Sequence, residues 1–242
     1  MPRGNWDYGV NPSGIITAPQ IGLAELAARL GSPAAYDRLG EVFFVESWDY
    51  GLAGWDTAVS GTGAEVVLDA GRGLHGAYCG KLVAGSDADR SASLSRSVVF
   101  PFLVRTGLEF AWSLTANLQD GYAYLDMYTG VYRIRWGIRY QASSGQNYVW
   151  AGAGAWQAVG TAQVNPDDQN LFIPAKFVVD PNTLAYVRFR AGPVDFTVSS
   201  YSGVASLSAS LPQLRVTGQL VGALGTNAVV LFDRLILTTN EP

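Results

Sequence analysis

Residues 122–140 alternate apolar and polar side chains along two segments that meet at Thr129-Gly130. Because successive side chains of a strand point to opposite sides, one face of this unit receives only apolar residues. That face consists of Ala123, Leu125, Met127, Tyr132, Ile134, Trp136, Ile138 and Tyr140. The opposite face consists of Tyr122, Tyr124, Asp126, Tyr128, Arg133, Arg135 and Arg139. The pattern predicts a β-hairpin with a core face and a tyrosine–arginine face.

Short strand-like segments continue on both sides of this hairpin, from Glu41 almost to the C-terminus. Turn sequences such as Asp180-Pro181-Asn182 separate them. Helix–strand alternation of the parallel kind is missing from the pattern, and 48% hydrophobic residues among 242 provide enough apolar surface for a core. The sequence therefore predicts an all-β protein, an antiparallel two-sheet sandwich spanning residues 41–242.

Residues 1–40 differ from the remainder because prolines and glycines interrupt short apolar pieces. The segment Leu23–Leu30 has helix-forming residues and ends before Gly31, which predicts a short amphipathic helix. A helix of two turns is unstable alone, so its leucines need a surface on the main domain or on another subunit. We therefore divide the chain into an N-terminal assembly arm, 1–40, and a sandwich domain, 41–242.

The segment Phe43–Trp55, FFVESWDYGLAGW, resembles the opening of jelly-roll carbohydrate-binding modules and of laminin-G-like and concanavalin-like domains. Leu108–Trp112 is a further match, and Leu231–Leu237 resembles the last strand of those domains. The resemblance covers residues 41–239 and implies the jelly-roll sandwich. It implies no single activity, because this fold hosts many functions.

The arm carries a second resemblance, in Glu25–Ser32 followed by Tyr36–Gly40, to the leader of structural proteins of tailed bacteriophages and prophages. It implies a non-enzymatic virion structural protein, such as a capsid decoration protein, made in the host cytoplasm and placed on the virion surface. The partners would be capsid or other virion proteins and further copies of the chain, with a trimer favoured. The arm residues expected to make subunit contacts are Trp6, Tyr8, Leu23, Leu26, Leu30 and Tyr36.

The tyrosine–arginine face supports an alternative function, that of a carbohydrate-binding module. Aromatic rings stack on sugar rings, and arginine and aspartate form directional hydrogen bonds to hydroxyl groups. The competing interpretation is structural: the same residues form cross-strand pairs in which rings shield guanidinium groups. Trp112 and Trp136 are in phase with the core, whereas one of Trp150 and Trp156, which flank a glycine-rich loop, is expected to be exposed.

The sequence contains no motif that names a reaction. His75 is the single histidine and has no nucleophile-elbow serine with it, and Cys79 lies in a strand-like run typical of a small buried residue. A glycosidase would need two facing carboxylates, and Asp126 stands alone in its strand. Glu46 and Asp233 are calcium-ligand candidates implied by the resemblance to sugar-binding sandwiches. We predict no catalytic residue, metal or cofactor.

Charge and hydropathy exclude two classes of partner. The net charge of −4 gives no basic surface for nucleic acid. No segment is apolar for long enough to span a bilayer, and the N-terminus lacks the apolar run of a secretory signal. The single cysteine also excludes an intrachain disulfide, so packing, oligomerisation or bound ions must stabilise the fold.

Overall fold

The hairpin predicted for residues 122–140 is present in a computed structural model of the chain. Its strands, Leu118–Tyr128 and Tyr132–Gln141, pair antiparallel with Asp126 opposite Arg135. Gly130 in the turn has φ of 92°, a conformation that glycine adopts without steric cost. The structure describes residues 40–46, 48–73, 78–87, 90–99, 103–114, 118–162, 171–225 and 227–242.

All regular elements among the described residues are strands, and each pairing between them is antiparallel. The strands are β1 Glu41–Glu46, β2 Asp56–Ser60, β3 Glu65–Ala70, β4 Tyr78–Val83, β5 Ser91–Val98, β6 Thr106–Leu114, β7 Leu118–Tyr128, β8 Tyr132–Gln141, β9 Gln146–Ala151, β10 Ala155–Thr161, β11 Ile173–Val179, β12 Tyr186–Ala191, β13 Val194–Phe196, β14 Val204–Leu207, β15 Gln213–Gly222 and β16 Val229–Thr239.

The strands form two sheets of eight. Sheet I has the order β13-β12-β11-β6-β16-β4-β3, and β1 pairs with β16. Sheet II has the order β10-β9-β8-β7-β15-β5-β2, and β14 pairs with β8. The expected antiparallel jelly-roll sandwich is thus confirmed. The hairpin β7–β8 lies in the middle of sheet II, so its two faces are the sandwich interior and the outer surface of that sheet.

The core lies between the sheets and takes the apolar face of the hairpin. Leu125 and Met127 of β7 and Trp136 of β8 belong to the same buried cluster as Trp112 of β6. Trp112 and Trp136 are buried as predicted. The prediction that Tyr132 belongs to the core face is wrong. Tyr132 is 47% exposed, because it begins β8 beside the turn and lies beyond the edge of the core.

The strand assignments were incomplete in two places. The structure adds β2 and β14, two strands of five and four residues on the periphery of sheet II, which are too short to give a clear alternation in the sequence. The helix predicted at 23–30 lies outside the described residues, and the division at residue 40 stays a prediction. In the described part of the chain, we find no helix capable of crossing a membrane.

The outer face of sheet I is closed by buried charges. Lys176 Nζ lies 2.6 Å from Glu241 Oε1 and 3.8 Å from Glu109 Oε2, and these three side chains are at most 3% exposed. Arg188 also pairs with Glu241. Buried charges need such partners, so this cluster ties the C-terminal residues to the sheet rather than offering charges to a ligand. The outer face of sheet II is left as the candidate site.

Candidate functional site

Five aromatic side chains from three strands converge on the outer face of sheet II. Trp156 lies 5.4 Å from Tyr122, 5.9 Å from Tyr124 and 5.1 Å from Trp150, measured between ring centroids. Tyr122 and Tyr124 stack with an interplanar angle of 7°. Tyr124 is buried beneath the others, and the remaining four residues are half-buried, so part of each stays exposed to solvent. We call Tyr122, Tyr124, Tyr148, Trp150 and Trp156 the aromatic platform.

The platform forms because Gly137 leaves room in the centre. Tyr124 pairs directly with Gly137 across β7 and β8, and Trp150 pairs with Trp156 across β9 and β10. Three strand spacings of about 4.8 Å separate β7 from β10, so their rings meet only by leaning inward over the strands between them. A Cβ atom at position 137 would lie 2.6 Å from the Tyr124 ring. Glycine is therefore the residue that lets these rings converge.

The arginines of this face are held by carboxylates and by the rings themselves. Arg135 donates from Nε and Nη2 to the two oxygens of Asp126, both at 2.7 Å, and its guanidinium lies 4.5 Å from the Tyr124 ring centroid. Arg139 Nε donates to Asp120 at 2.7 Å, and its guanidinium lies 4.9 Å from the Tyr148 ring centroid. The bidentate pair allows Arg135 little rotation, and Arg139 is held by its hydrogen bond to Asp120 and by the Tyr148 ring.

The protonation states follow from the same contacts. The hydrogen bond to Asp126 raises the pKa of Arg135, so this residue stays charged. Burial raises the pKa of the Tyr124 phenol to about 12. The positive charge of Arg135 lowers this pKa but does not offset the effect of burial. At neutral pH the face therefore combines cationic arginines with neutral tyrosine hydroxyl groups, which can donate and accept hydrogen bonds.

The structure brings the seven predicted ligand-face residues together on one surface. Arg133 pairs directly with Tyr128, Arg135 with Asp126 and Arg139 with Tyr122. These are the cross-strand pairs of the structural interpretation. That interpretation describes the tyrosine–arginine face well, but it does not account for the open side of the aromatic platform.

Sequence reasoning missed several residues of this surface. Asp120, Tyr148 and Arg215 were not predicted, and Trp150 and Trp156 were placed beside a loop without a partner. The alternation of Tyr148 and Trp150 in β9 was a readable signal of a shared outer face. The register between strands was not readable, and it is what places these residues beside β7 and β8.

The segment that carried the resemblance to sugar-binding sandwiches has a structural task. Glu46 accepts hydrogen bonds from the Trp48 backbone nitrogen at 2.9 Å, Trp55 Nε1 at 3.0 Å and Arg96 Nη1 at 2.8 Å. Trp48 and Trp55 stack with centroids 5.0 Å apart. Both Glu46 oxygens are thus bound by donors, and Asp233 accepts a hydrogen bond from the Arg234 backbone nitrogen. Across the described ranges, no group of three or more His, Cys, Asp or Glu side chains has the geometry of a metal site.

Cys79 is buried as predicted, and burial raises the pKa of its thiol to about 12, so it lacks the thiolate character of a nucleophile. His75 lies outside the described residues. The six predicted arm contacts also lie outside them: Trp6, Tyr8, Leu23, Leu26, Leu30 and Tyr36. The assembly arm and the virion location therefore stay predictions.

No protein-family model and no curated protein matches the chain. Among solved structures, it is similar to a Crh5 transglycosylase in complex with NAG, with a TM-score of 0.52 and 9% identity over 82% of this chain and 84% of that one. It is also similar to a sialidase, with a TM-score of 0.50 and 10% identity over 83% of this chain. The matched region spans 19% of the sialidase.

A carbohydrate esterase from Shiga toxin-encoding bacteriophage phi24B has 18% identity and a TM-score of 0.49, with 84% of this chain and 100% of that chain covered. The similarities to the transglycosylase and the sialidase confirm the jelly-roll sandwich fold that the sequence resemblance implied. At such low identity they are informative about the fold alone.

Proposed function

We propose that this protein binds carbohydrate on the outer face of sheet II and does so without catalysis. The observation that carries the proposal is the aromatic platform, in which rings from β7, β9 and β10 are fixed against each other while one side stays open. Clustered aromatic rings on a surface indicate a binding site more often than they serve stability, because exposing them costs solvation free energy.

The platform matches the chemistry of a sugar ring. A pyranose has an apolar face of C–H groups that packs against an aromatic ring, and a rim of hydroxyl groups that needs hydrogen-bond partners. Trp156 and Tyr122 supply the apolar surface. Arg139, which Asp120 holds next to Tyr122, supplies hydrogen-bond donors with fixed directions, and the Tyr122 hydroxyl group, which donates to Asp120, can accept a hydrogen bond. Because these side chains are already positioned, ordering them on binding would cost little conformational entropy.

The carboxylates of this face favour binding over turnover. A glycosidase needs an acid and a second carboxylate that both reach the glycosidic bond. Asp126 is 1% exposed and both of its oxygens accept hydrogen bonds from Arg135. Asp120 accepts hydrogen bonds from Arg139 and from the Tyr122 hydroxyl. Neither carboxylate is available to transfer a proton to a bound sugar, which supports a non-enzymatic role.

The test is a glycan array probed with the full-length protein, followed by calorimetric titration of the best ligand. Trp156→Ala should weaken binding at least about tenfold, which corresponds to about 1.4 kcal/mol. Tyr50→Ala is the matched control, because Tyr50 is an aromatic residue that is 88% exposed and lies outside the platform. Binding to no glycan on the array, or equal losses of affinity in the two variants, would contradict the proposal. Polysaccharide turnover that depends on Asp126 would contradict its non-catalytic part.

The sequence of the arm supports a second candidate function, assembly on a virion surface through residues 1–40. The leucine spacing at 23–30 is the observation that favours it, since such a short helix needs a partner surface. Light scattering on the full-length protein and on the variant Leu26→Asp tests this candidate. We expect an oligomer for the former and smaller particles for the latter, and a stable monomer in both cases would contradict it.

A further inference from the structure

The outer face of sheet II carries more positive charge than its carboxylates balance, and the excess lies beside the aromatic platform. We propose that the glycan bound there is acidic, and that its carboxylate or sulfate group is recognised by Arg133, Arg135 and Arg215. We call these three residues the arginine patch. The inference rests on the proposed carbohydrate-binding function and adds the chemical class of the ligand.

The register of three strands brings the arginine patch together. Arg135 of β8 and Arg215 of β15 both lie directly opposite Asp126 of β7, one on each side of it. Arg133 precedes Arg135 by two residues on the same strand and pairs with Tyr128. With strands about 4.8 Å apart and a rise of about 6.8 Å per two residues, the three guanidinium groups surround one carboxylate within about 10 Å.

The charges in this region do not cancel. Three arginines face a single buried carboxylate, Asp126, and Arg135 occupies both of its oxygens. Within the described part of the chain, neither Arg133 nor Arg215 forms an ion pair, and the hydrogen-bond partner of Arg215 is the Ser97 hydroxyl at 3.3 Å. Arg133 Nε is buried without a hydrogen-bond partner among those residues. Arg133 as a whole is half-buried, so an anionic ligand would pair with its terminal NH₂ groups.

The tyrosines hold the arginine patch in position. The Arg215 guanidinium lies 5.5 Å from the Tyr128 ring centroid and the Arg135 guanidinium lies 4.5 Å from that of Tyr124. Tyr128 is buried, so it forms a rigid support rather than a mobile contact. The side chains above it stay partly open to solvent, as shown by the 27% exposure of Arg135. A guanidinium has five N–H donors, and two hydrogen bonds to Asp126 leave three on Arg135 for a ligand.

The patch adjoins the platform directly, since Asp126 follows Tyr124 by two residues on β7. A sugar ring resting on the platform would therefore place a substituent about 7 Å away over the arginines. Guanidinium groups match planar carboxylates and sulfates by paired hydrogen bonds. The other nearby arginine, Arg139, is already neutralised by Asp120 and belongs to the part of the face suited to hydroxyl groups. Asp56 on β2 is two strands beyond β15 and lies in the cross-strand row of Thr217 and Tyr124, not in a row of the arginine patch.

The experiment compares ligands that share a sugar backbone and differ in charge. Oligogalacturonate is titrated into the full-length protein in its free-acid form and as the methyl ester, which removes the charge and keeps the ring. A sulfated oligosaccharide of similar length distinguishes sulfate from carboxylate as the source of the anion. A single-stranded oligonucleotide of equal charge serves as a polyanion that lacks the pyranose backbone.

We expect the free acid or the sulfated ligand to bind at least about tenfold more tightly than the ester at low salt, and this preference to shrink as salt rises. The double variant Arg133→Gln/Arg215→Gln should lose most of this preference while its affinity for the ester stays within about twofold. Arg105→Gln is the matched control, because it removes the same charge from an exposed residue paired with Asp180, away from sheet II. It should leave the preference unchanged.

The outcomes separate the two proposals. If ester and acid bind equally and Trp156→Ala abolishes both, the acidic-ligand inference is wrong and carbohydrate binding stands. If the arginine variant abolishes binding of the acid and Trp156→Ala has no effect, the patch is an anion site and the platform is not a sugar site. Equal binding of the oligonucleotide would overturn the inference in favour of a general polyanion surface. If none of the four ligands binds, the inference is wrong, while the array decides on carbohydrate binding.

Discussion

The hydroxyl oxygen of Tyr186 lies 2.8 Å from the backbone nitrogen of Gly137. Tyr186 belongs to sheet I and Gly137 to sheet II, so this contact crosses the sandwich interior. The same oxygen lies 2.9 Å from the carbonyl oxygens of Gly137 and Trp150. The pairing of β8 with β9 extends from Gln141–Gln146 to Ile138–Val149. The Tyr186 hydroxyl links the two strands at the next position, where this pairing has ended. A residue of one sheet therefore fixes the strands beneath the aromatic platform of the other.

Removing this hydroxyl should weaken both the fold and the site. Tyr186→Phe leaves the Gly137 nitrogen and the Trp150 carbonyl without their partner, so we expect the free energy of unfolding to fall by about 1–3 kcal/mol. Urea unfolding measures the change. Tyr140→Phe is the control: Tyr140 is equally buried, and no hydrogen bond of its hydroxyl to the described residues is present. Equal losses in both variants would show that the bridge contributes nothing.

Filling the space at Gly137 should displace the platform from below. In Gly137→Ala the new Cβ would lie 2.6 Å from the Tyr124 ring, so the ring must move. Overpacking of this kind costs about 1–3 kcal/mol, and we expect glycan affinity to fall with stability. Gly121→Ala is the matched control on β7, because its Cβ would lie 3.4 Å from the nearest atom, in Trp112. A stable Gly137→Ala variant with normal glycan affinity would contradict the role assigned to Gly137.

The hairpin and its two faces could be predicted because the information is local. Alternation along residues 122–128 decides which side chains point outward, and a turn with Gly130 decides which strands pair. Tyr132 shows the limit of the pattern: it is in phase with the core, yet it begins its strand and is exposed. Periodicity predicts the direction of a side chain but not whether anything lies above it.

The composition of the site could not be predicted because it depends on strand order. Arg215 stands next to Asp126 since β15 pairs with β7 from almost ninety residues away, and Trp156 reaches Tyr122 across two intervening strands. The local sequence around Asp126 or Tyr122 does not indicate that Arg215 or Trp156 lies beside it. The FFVESWDYGLAGW segment indicated the fold correctly, whereas the structure gives its Glu46, a calcium-ligand candidate, three donors of the chain instead.

Glu46 should matter for stability. In Glu46→Gln the amide oxygen can accept either from the Trp48 backbone nitrogen or from Trp55 and Arg96, which share one oxygen of Glu46. In either orientation the NH₂ group opposes a donor that the carboxylate satisfied. Since hydrogen bonds to charged groups contribute about 1.5–3 kcal/mol, we expect a loss in that range in urea unfolding. Glu65→Gln is the control: Glu65 is 51% exposed and lies 3.8 Å from Lys81, so its loss should stay below about 1 kcal/mol. Calcium or a chelator should leave Tm unchanged, and a calcium-dependent rise in Tm that Glu46→Gln abolishes would contradict this role.

The Cys79 thiol should be unreactive in the folded protein. It is fully buried on the outer face of sheet I, and burial raises its pKa to about 12, with the charges of Asp69 and Asp233 acting in the same direction. At pH 8 we expect 5,5′-dithiobis(2-nitrobenzoate) to react with the urea-unfolded chain within seconds and with the folded chain only at the rate of unfolding. Fast stoichiometric reaction in the folded state would show that the thiol is accessible.

The same thiol should make the protein less stable in alkaline solution. An unfolded cysteine ionises near pH 8.5 and the folded one near 12, so above pH 8.5 the unfolded chain binds fewer protons than the folded one. The stabilisation is therefore complete below pH 8.5 and is lost as the pH rises toward 12. Other groups also titrate there, so we compare the wild type with Cys79→Ala in urea unfolding at pH 7.5 and 10. Between pH 7.5 and pH 10, the unfolding free energy of the wild type should fall by about 1–2 kcal/mol relative to that of Cys79→Ala. If the difference between the two proteins stays constant, the folded thiol ionises as readily as the unfolded one.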